Sequence, residues 1–225
     1  MSRCNPFRGM GVALVTPFHQ DGSLDESSLE KLLQFHLDCA TDFLCILGTT
    51  AETPCLSTEE QLCVMNIAQR VIGGRIPMLL GFGGNNTRAI IDRVKKSDLS
   101  GWDGLLIVTP YYNKPSQEGL YQHYKAIADV SPLPIILYNV PSRTGLNITP
   151  ATCLELSKID NIVAIKEASG DLSQVAEIAN LCRDELTIYS GNDDQIVPIL
   201  SVGGKGVISV LSNIEVEYTH NMCYK

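Results

Sequence analysis

The chain has no cluster of Lys or Arg, no closely paired cysteines, and no apolar run longer than a strand. Its 17 Lys and Arg stand against 25 Asp and Glu, for a formal net charge of −8. A nucleic-acid partner needs a basic face, so that balance excludes one, although a few converging cations still suffice for an anionic substrate. The apolar runs fall far short of the roughly 20 residues that cross a bilayer. The opening Met1-Ser-Arg-Cys-Asn-Pro-Phe-Arg-Gly9 lacks the apolar centre of a secretory signal. The sequence therefore reads as cytoplasmic, with no membrane partner. Cys4, Cys39, Cys45, Cys55, Cys63, Cys153, Cys182 and Cys223 are scattered without a CxxC pair and read as reduced, mostly buried small residues. His19, His36, His123 and His220 stand apart from one another and from the cysteines. They read as surface or packing residues, and no metal site is expected.

What is present is an ordinary globular composition, 44% hydrophobic and 19% charged over 225 residues, enough to bury a sizeable core. Strand-like apolar runs recur at Val12–Thr16, Phe43–Leu47, Met78–Phe82, Gly104–Thr109, Pro134–Tyr138, Ile162–Lys166, Leu186–Ser190 and Val207–Val210. Segments with helical spacing separate them, such as Leu29, Leu32, Leu33, Phe35 and His36. Helix starts are signalled by Ser57 with Glu60, by Thr149 before Pro150, and by Asp171 with Gln174. Continuous rather than alternating apolar strands imply a sheet covered on both faces, the mark of parallel pairing. Eight βα units without a composition break predict one (β/α)₈ TIM barrel domain over residues 1–225. A doubly wound open sheet is the runner-up, but no dinucleotide fingerprint follows the first strand and no P-loop is present. Only fifteen residues follow Val210, so the eighth helix is expected to be incomplete, with Ile214, Val216, Tyr218 and Met222 forming a short closing helix. Apolar surface on strands eight and one and their neighbouring helices would then face solvent.

In such a barrel the site lies at the C-terminal ends of the strands, and polar residues collect there. Strand two runs into Thr49 and Thr50, strand four into Tyr111-Tyr112, strand five into Tyr138 and Arg143, and strand six into Lys166. Each has an ordinary reading: a solvated lysine cap, a buried tyrosine with a bonded hydroxyl, a helix-capping threonine, a loop arginine. Four apolar residues before Lys166 favour the other reading. A desolvated lysine loses its charge more readily and becomes an amine nucleophile. The adjacent Glu167 points to the opposite side of the strand and reads as structural. An amine, phenols, hydroxyls and a guanidinium, without metal ligands or a phosphate loop, suit imine chemistry on a small keto acid. Arg143 would hold a carboxylate in its fork.

Four segments carry a further signal: Gly48-Thr-Thr-Ala-Glu52, Tyr111-Tyr-Asn-Lys-Pro115, Tyr138-Asn-Val-Pro-Ser-Arg-Thr-Gly145 and Ile165-Lys-Glu-Ala-Ser-Gly-Asp171. They resemble the dihydrodipicolinate synthases of the dihydrodipicolinate synthase / N-acetylneuraminate lyase family, from about Phe7 to about Tyr218. The resemblance implies a lyase of lysine and diaminopimelate biosynthesis with no separate cofactor. Lys166 would form a Schiff base with pyruvate, and the enamine would attack aspartate semialdehyde. Tyr138, Thr49 and Tyr112 would relay protons, with Tyr112 entering the neighbouring subunit's site in a homodimer or homotetramer. Thr50 would hold the pyruvate carboxylate and Arg143 that of the semialdehyde. Gly191 and Ile208 would line the pocket with their carbonyls.

Two departures accompany the resemblance. Feedback-inhibited members bind lysine through histidines and a glutamate where this chain has Thr58, Gln61 and Ala89, although Asn85 and Tyr111 remain, so weak or absent lysine inhibition is expected. Members also continue through further C-terminal helices, so the chain reads as C-terminally truncated. The alternatives are a non-catalytic pyruvate-binding barrel and a sibling aldolase acting on a sialic or keto-sugar acid.

Overall fold

Eight parallel strands close on themselves in chain order, β8 pairing back to β1. They are β1 (Gly9–Ala13), β2 (Phe43–Ile46), β3 (Met78–Gly81), β4 (Gly104–Val108), β5 (Ile135–Asn139), β6 (Ile162–Glu167), β7 (Thr187–Ser190) and β8 (Gly206–Ser209). This computed structural model describes residues 5–225, so Cys4 lies outside it. The main helices are α1 (Glu26–Asp38), α2 (Thr58–Ile72), α3 (Thr87–Lys96), α4 (Gln117–Ala128), α5 (Pro141–Thr144), α6 (Pro150–Leu156), α7 (Leu172–Cys182), α8 (Ile196–Ser201) and α9 (Val216–Tyr224). The (β/α)₈ barrel expected from the repeat is the fold found. No helix among the described residues is long and apolar enough to cross a membrane.

Strand residues alternate between two apolar layers. Ala13, Phe43, Cys45, Leu79, Leu106, Ile136, Tyr138, Ala164, Tyr189 and Ile208 belong to the smaller, inner cluster. Met10, Leu44, Leu80, Leu105, Ile135, Ile165, Ile188 and Val207 belong to the larger layer under the helices. Caps fix where helices begin. Ser57 and Glu60 form a reciprocal capping box at α2, Thr149 caps α6 ahead of Pro150, and Asp171 accepts from the Ser173 and Gln174 amides at α7.

The first strand starts earlier than Val12–Thr16. Gly9 and Gly11 carry no apolar signal, yet they belong to β1. A Cβ on Gly11 would lie 2.2 Å from the Phe43 ring, so the bare backbone is what admits that ring to the barrel interior. The eighth strand and its neighbour also correct an expectation: every residue of β1 and β8 is buried. The closing helix α9 packs over them, burying Val216 and setting the Tyr224 hydroxyl on the Asp42 carboxylate at 3.1 Å. Exposed apolar side chains near this seam lie on the adjoining segments, at Val197, Val210, Ile214, Tyr218 and Tyr224. Of the seven described cysteines, all free, Cys45, Cys153 and Cys182 are buried, while Cys55 is exposed and the other three are half-buried. His36 and His123 are packing residues, whereas the His19 side chain is 57% exposed.

Candidate active site

Lys166 sits one residue from the end of β6 and is 4% exposed. The flanking strands set its neighbours: Tyr138 on β5 and Tyr189 on β7 are both its Cα partners. Their hydroxyls have different fates. Tyr189 donates to the Phe7 carbonyl at 2.5 Å and accepts from Asn5, which ties it down among residues preceding β1. Tyr138 stays at the mouth, its ring centre 4.6 Å from the Lys166 Nζ. Burial lowers the Lys166 pKa, and the nearby Arg143 charge lowers it further, against opposing contributions from Cys45 and Asp193. Burial raises the Tyr138 phenol, moderated by a hydrogen bond with the Thr49 side chain and by the Arg143 charge.

The back of the ladder is held by the next residue on each strand. Asn139 and Glu167 are also Cα partners and point away from the barrel interior. Asn139 Nδ2 donates to both Glu167 carboxylate oxygens at 3.2 and 3.0 Å and to Asn147 Oδ1 at 2.8 Å. Its Oδ1 accepts from the Ile148 amide, and Glu167 accepts from the Ser169 amide at 2.7 Å. Both side chains are thus buried and satisfied, as a structural reading of Glu167 requires.

A cavity of about 560 Å³ opens at this end of the barrel. It brings together Lys166, Tyr138, Thr49, Thr50, Arg143 and Gly191. Thr49 and Thr50 arrive on a short 3₁₀ turn after a strained residue, Leu47, whose φ is 56°. Thr53 Oγ1 donates to the Gly48 carbonyl and Thr16 Oγ1 to the Ala51 carbonyl, which fasten the turn. Arg143 is carried by α5, a single turn closed by Gly145. Gly191 must be small, because a Cβ there would lie 2.7 Å from the Ala168 Cβ and 3.1 Å from the Lys166 Cε.

Two expected residues lie outside this cavity. Ile208 is fully buried in the inner cluster, and Val210, two residues on, reaches the cavity instead. Tyr112 is 92% exposed with φ 69°. Its loop is tied by Asn85 Nδ2 donating to the Tyr111 carbonyl and Asn113 Nδ2 donating to the Asn85 carbonyl. A second, more apolar cavity of about 230 Å³ shares Thr49, Tyr138 and Arg143 with the first and extends towards Phe82, Arg93 and Tyr111. Asp193 lines the larger cavity; in the sequence it belongs to the polar rim segment Ser190-Gly191-Asn192-Asp193-Asp194 at the end of strand seven, where nothing gives it a role.

Residues 6–225 match the model of the Dihydrodipicolinate synthetase family. The chain belongs to this family. It is 54% identical over 219 residues to a 4-hydroxy-tetrahydrodipicolinate synthase of Clostridium perfringens, covering 97% of this chain and 75% of that one. It is likewise 54% identical over 216 residues to the enzyme of that name from Caldicellulosiruptor saccharolyticus, covering 96% and 73%. Among solved structures, the chloride-inhibited dihydrodipicolinate synthase of Acinetobacter baumannii complexed with pyruvate superposes with a TM-score of 0.93 at 44% identity, over 96% of this chain and 74% of that one. A monomeric dihydrodipicolinate synthase variant superposes at 0.91 with 41% identity, over 96% and 73%. The chain thus spans about three quarters of the length of the family members it matches.

Proposed function

We propose that this chain is a class I aldolase-type lyase that condenses pyruvate with L-aspartate 4-semialdehyde to give 4-hydroxy-tetrahydrodipicolinate, in lysine and diaminopimelate biosynthesis. The observation that carries the reading is a buried lysine, its pKa lowered, opening on a cavity that a phenol, two threonines and a guanidinium also line. The names of its relatives point to the same activity.

The Lys166 nitrogen adds to C2 of pyruvate, and the N–C bond forms as the C2 oxygen takes up protons and leaves as water. The positive charge remains on the imine nitrogen. Loss of a C3 proton gives a neutral enamine, whose C3 attacks the aldehyde carbon while the aldehyde oxygen takes up a proton. The semialdehyde's amino nitrogen then adds to C2 of the iminium re-formed on Lys166, loses a proton, closes the ring and expels the lysine amine. Tyr138 and Thr49 form the proton relay, completed by Tyr112 of a second copy. The exposed Tyr112 ring and the resemblance both support a homodimer or homotetramer. Thr50 holds the pyruvate carboxylate and Arg143 that of the semialdehyde, with Gly191 and Ile208 lining the site through their carbonyls. The imine on Lys166 does the work of a cofactor, and residues 1–225 form one domain that supplies every site residue except the second copy's Tyr112.

Turnover assays with pyruvate plus aspartate semialdehyde, and separately with N-acetylneuraminate, test this reading. Condensation with the first and no cleavage of the second is expected. Cleavage of the sialic acid alone would overturn it.

A further inference from the structure

Asp193 stands in the turn after β7 and lines the cavity that holds Lys166. Its Oδ2 accepts from the backbone amides of Val210 and Leu211, at 3.2 and 2.9 Å. Its Oδ1 is buried and has no hydrogen-bond partner. Leaving a buried carboxylate oxygen unmatched is costly, and orphan groups of this kind call for an explanation beyond structural support. A cap on the segment after β8 needs only the first oxygen.

The surroundings of Lys166 supply a reason for the second. The groups that face the amine are Cys45 from β2, Tyr138 from β5, Arg143 from α5, Tyr189 from β7 and Asp193. Burial pushes the Cys45 thiol up to about 11 and also raises both phenols, so these three are neutral near pH 7. Arg143 is a cation. Glu52 and Asp194 also line the cavity, but both are exposed, and Asp193 is the carboxylate with a buried, unpartnered oxygen there and an influence on the Lys166 charge. We infer that Asp193 is a positioning residue for the imine step, its unpartnered Oδ1 supplying the counter-charge for the cationic nitrogen that Lys166 carries before and after it bonds to the keto acid. The inference rests on the imine reading above. It gives the lysine, buried beside a guanidinium, an electrostatic partner of opposite sign. One carboxylate thereby joins two tasks: it anchors the chain leaving β8, and it offsets charge on β6.

The test separates those tasks. Asp193→Asn keeps an acceptor oxygen for the Val210 and Leu211 amides and removes the charge. Asp193→Ser does the same with a shorter group and stands in where the asparagine variant does not fold. Borohydride trapping is measured against pyruvate concentration and pH, alongside the KM for aspartate semialdehyde. At pH values above the trapping midpoint, where the resting amine is neutral, the pyruvate concentration for half-maximal trapping is expected to rise about tenfold in either folded variant, the equivalent of one pKa unit. The pH midpoint of trapping is expected to move down, because the lysine cation has lost its counter-charge, while the semialdehyde KM stays as in the wild type. A wild-type midpoint and wild-type pyruvate dependence in folded Asp193→Asn and Asp193→Ser would overturn the inference alone. No trapping in the wild type would overturn the imine reading itself and this inference with it.

Discussion

Tyr138 and Lys166 are Cα partners across the β5–β6 ladder, with the lysine amine 4.6 Å from the centre of the phenol ring. Because register fixes the pair, their separation is a property of the backbone rather than of mobile loops. The Asn139–Glu167 bonds one residue further on lock that register from behind.

Replacing Tyr138 with Phe keeps the ring beside the amine and removes the proton-transferring hydroxyl. Loss of a positioned acid–base group costs on the order of 10²–10⁴ in rate. Steady-state kinetics of Tyr138→Phe are expected to show a kcat lower by that factor with the fold intact. A kcat within a factor of two of wild type would remove Tyr138 from the relay.

Gly191→Ala places a methyl 2.7 Å from Ala168 and 3.1 Å from the Lys166 side chain. Such overpacking costs about 1–3 kcal/mol, and here the lysine is the flexible neighbour that yields. Trapping of pyruvate is expected to fall at least about tenfold for each 1.4 kcal/mol placed on the reactive lysine geometry. Unchanged trapping together with a lowered melting temperature would put the strain on the Ala168 side instead.

His36 and His123 link the barrel wall to pH. Each has one ring nitrogen against a threonine hydroxyl, at 3.2 and 2.8 Å, and the other buried without a partner. Burial lowers both from 6.5 to about 4. The unfolded chain therefore binds more protons between those values, and stability rises with pH across that window. It is complete above about 6.5 and declines as pH falls towards 4, by roughly 1–3 kcal/mol per histidine. Urea midpoints measured from pH 7 to 4.5 are expected to fall less steeply in His123→Gln than in the wild type. Parallel curves would exclude this source of acid sensitivity.

Lysine is expected to inhibit weakly or not at all. The positions that would bind it are Thr58, Gln61 and Ala89, and the Gln61 amide already donates to the Thr53 and Leu56 carbonyls. Initial rates in millimolar lysine are expected to match those without it. A strong, saturable inhibition curve would show that Asn85 and Tyr111 suffice for binding.

The barrel was legible because its strands are short, continuous apolar runs between capped helices, and Lys166 because a cation at the end of such a run breaks the pattern. Glu167 was readable from strand alternation alone. The start of β1 was hidden by Gly9, which leaves room for Tyr224 and Asp42, and by Gly11, which leaves room for the Phe43 ring. Asp193 was hidden for a related reason. Its partners, Val210 and Leu211, follow β8, and the lysine it faces lies on β6, so only barrel closure brings them together. Local pattern reveals what a segment buries; it does not reveal which distant charge a polar group will meet.

Borohydride reduction in the presence of pyruvate, followed by peptide mass spectrometry, tests whether Lys166 forms the imine. A reduced pyruvate adduct is expected on the peptide containing Lys166 and is expected to be absent from Lys166→Ala. A folded wild-type protein with no adduct, or with the adduct on another lysine, would contradict it.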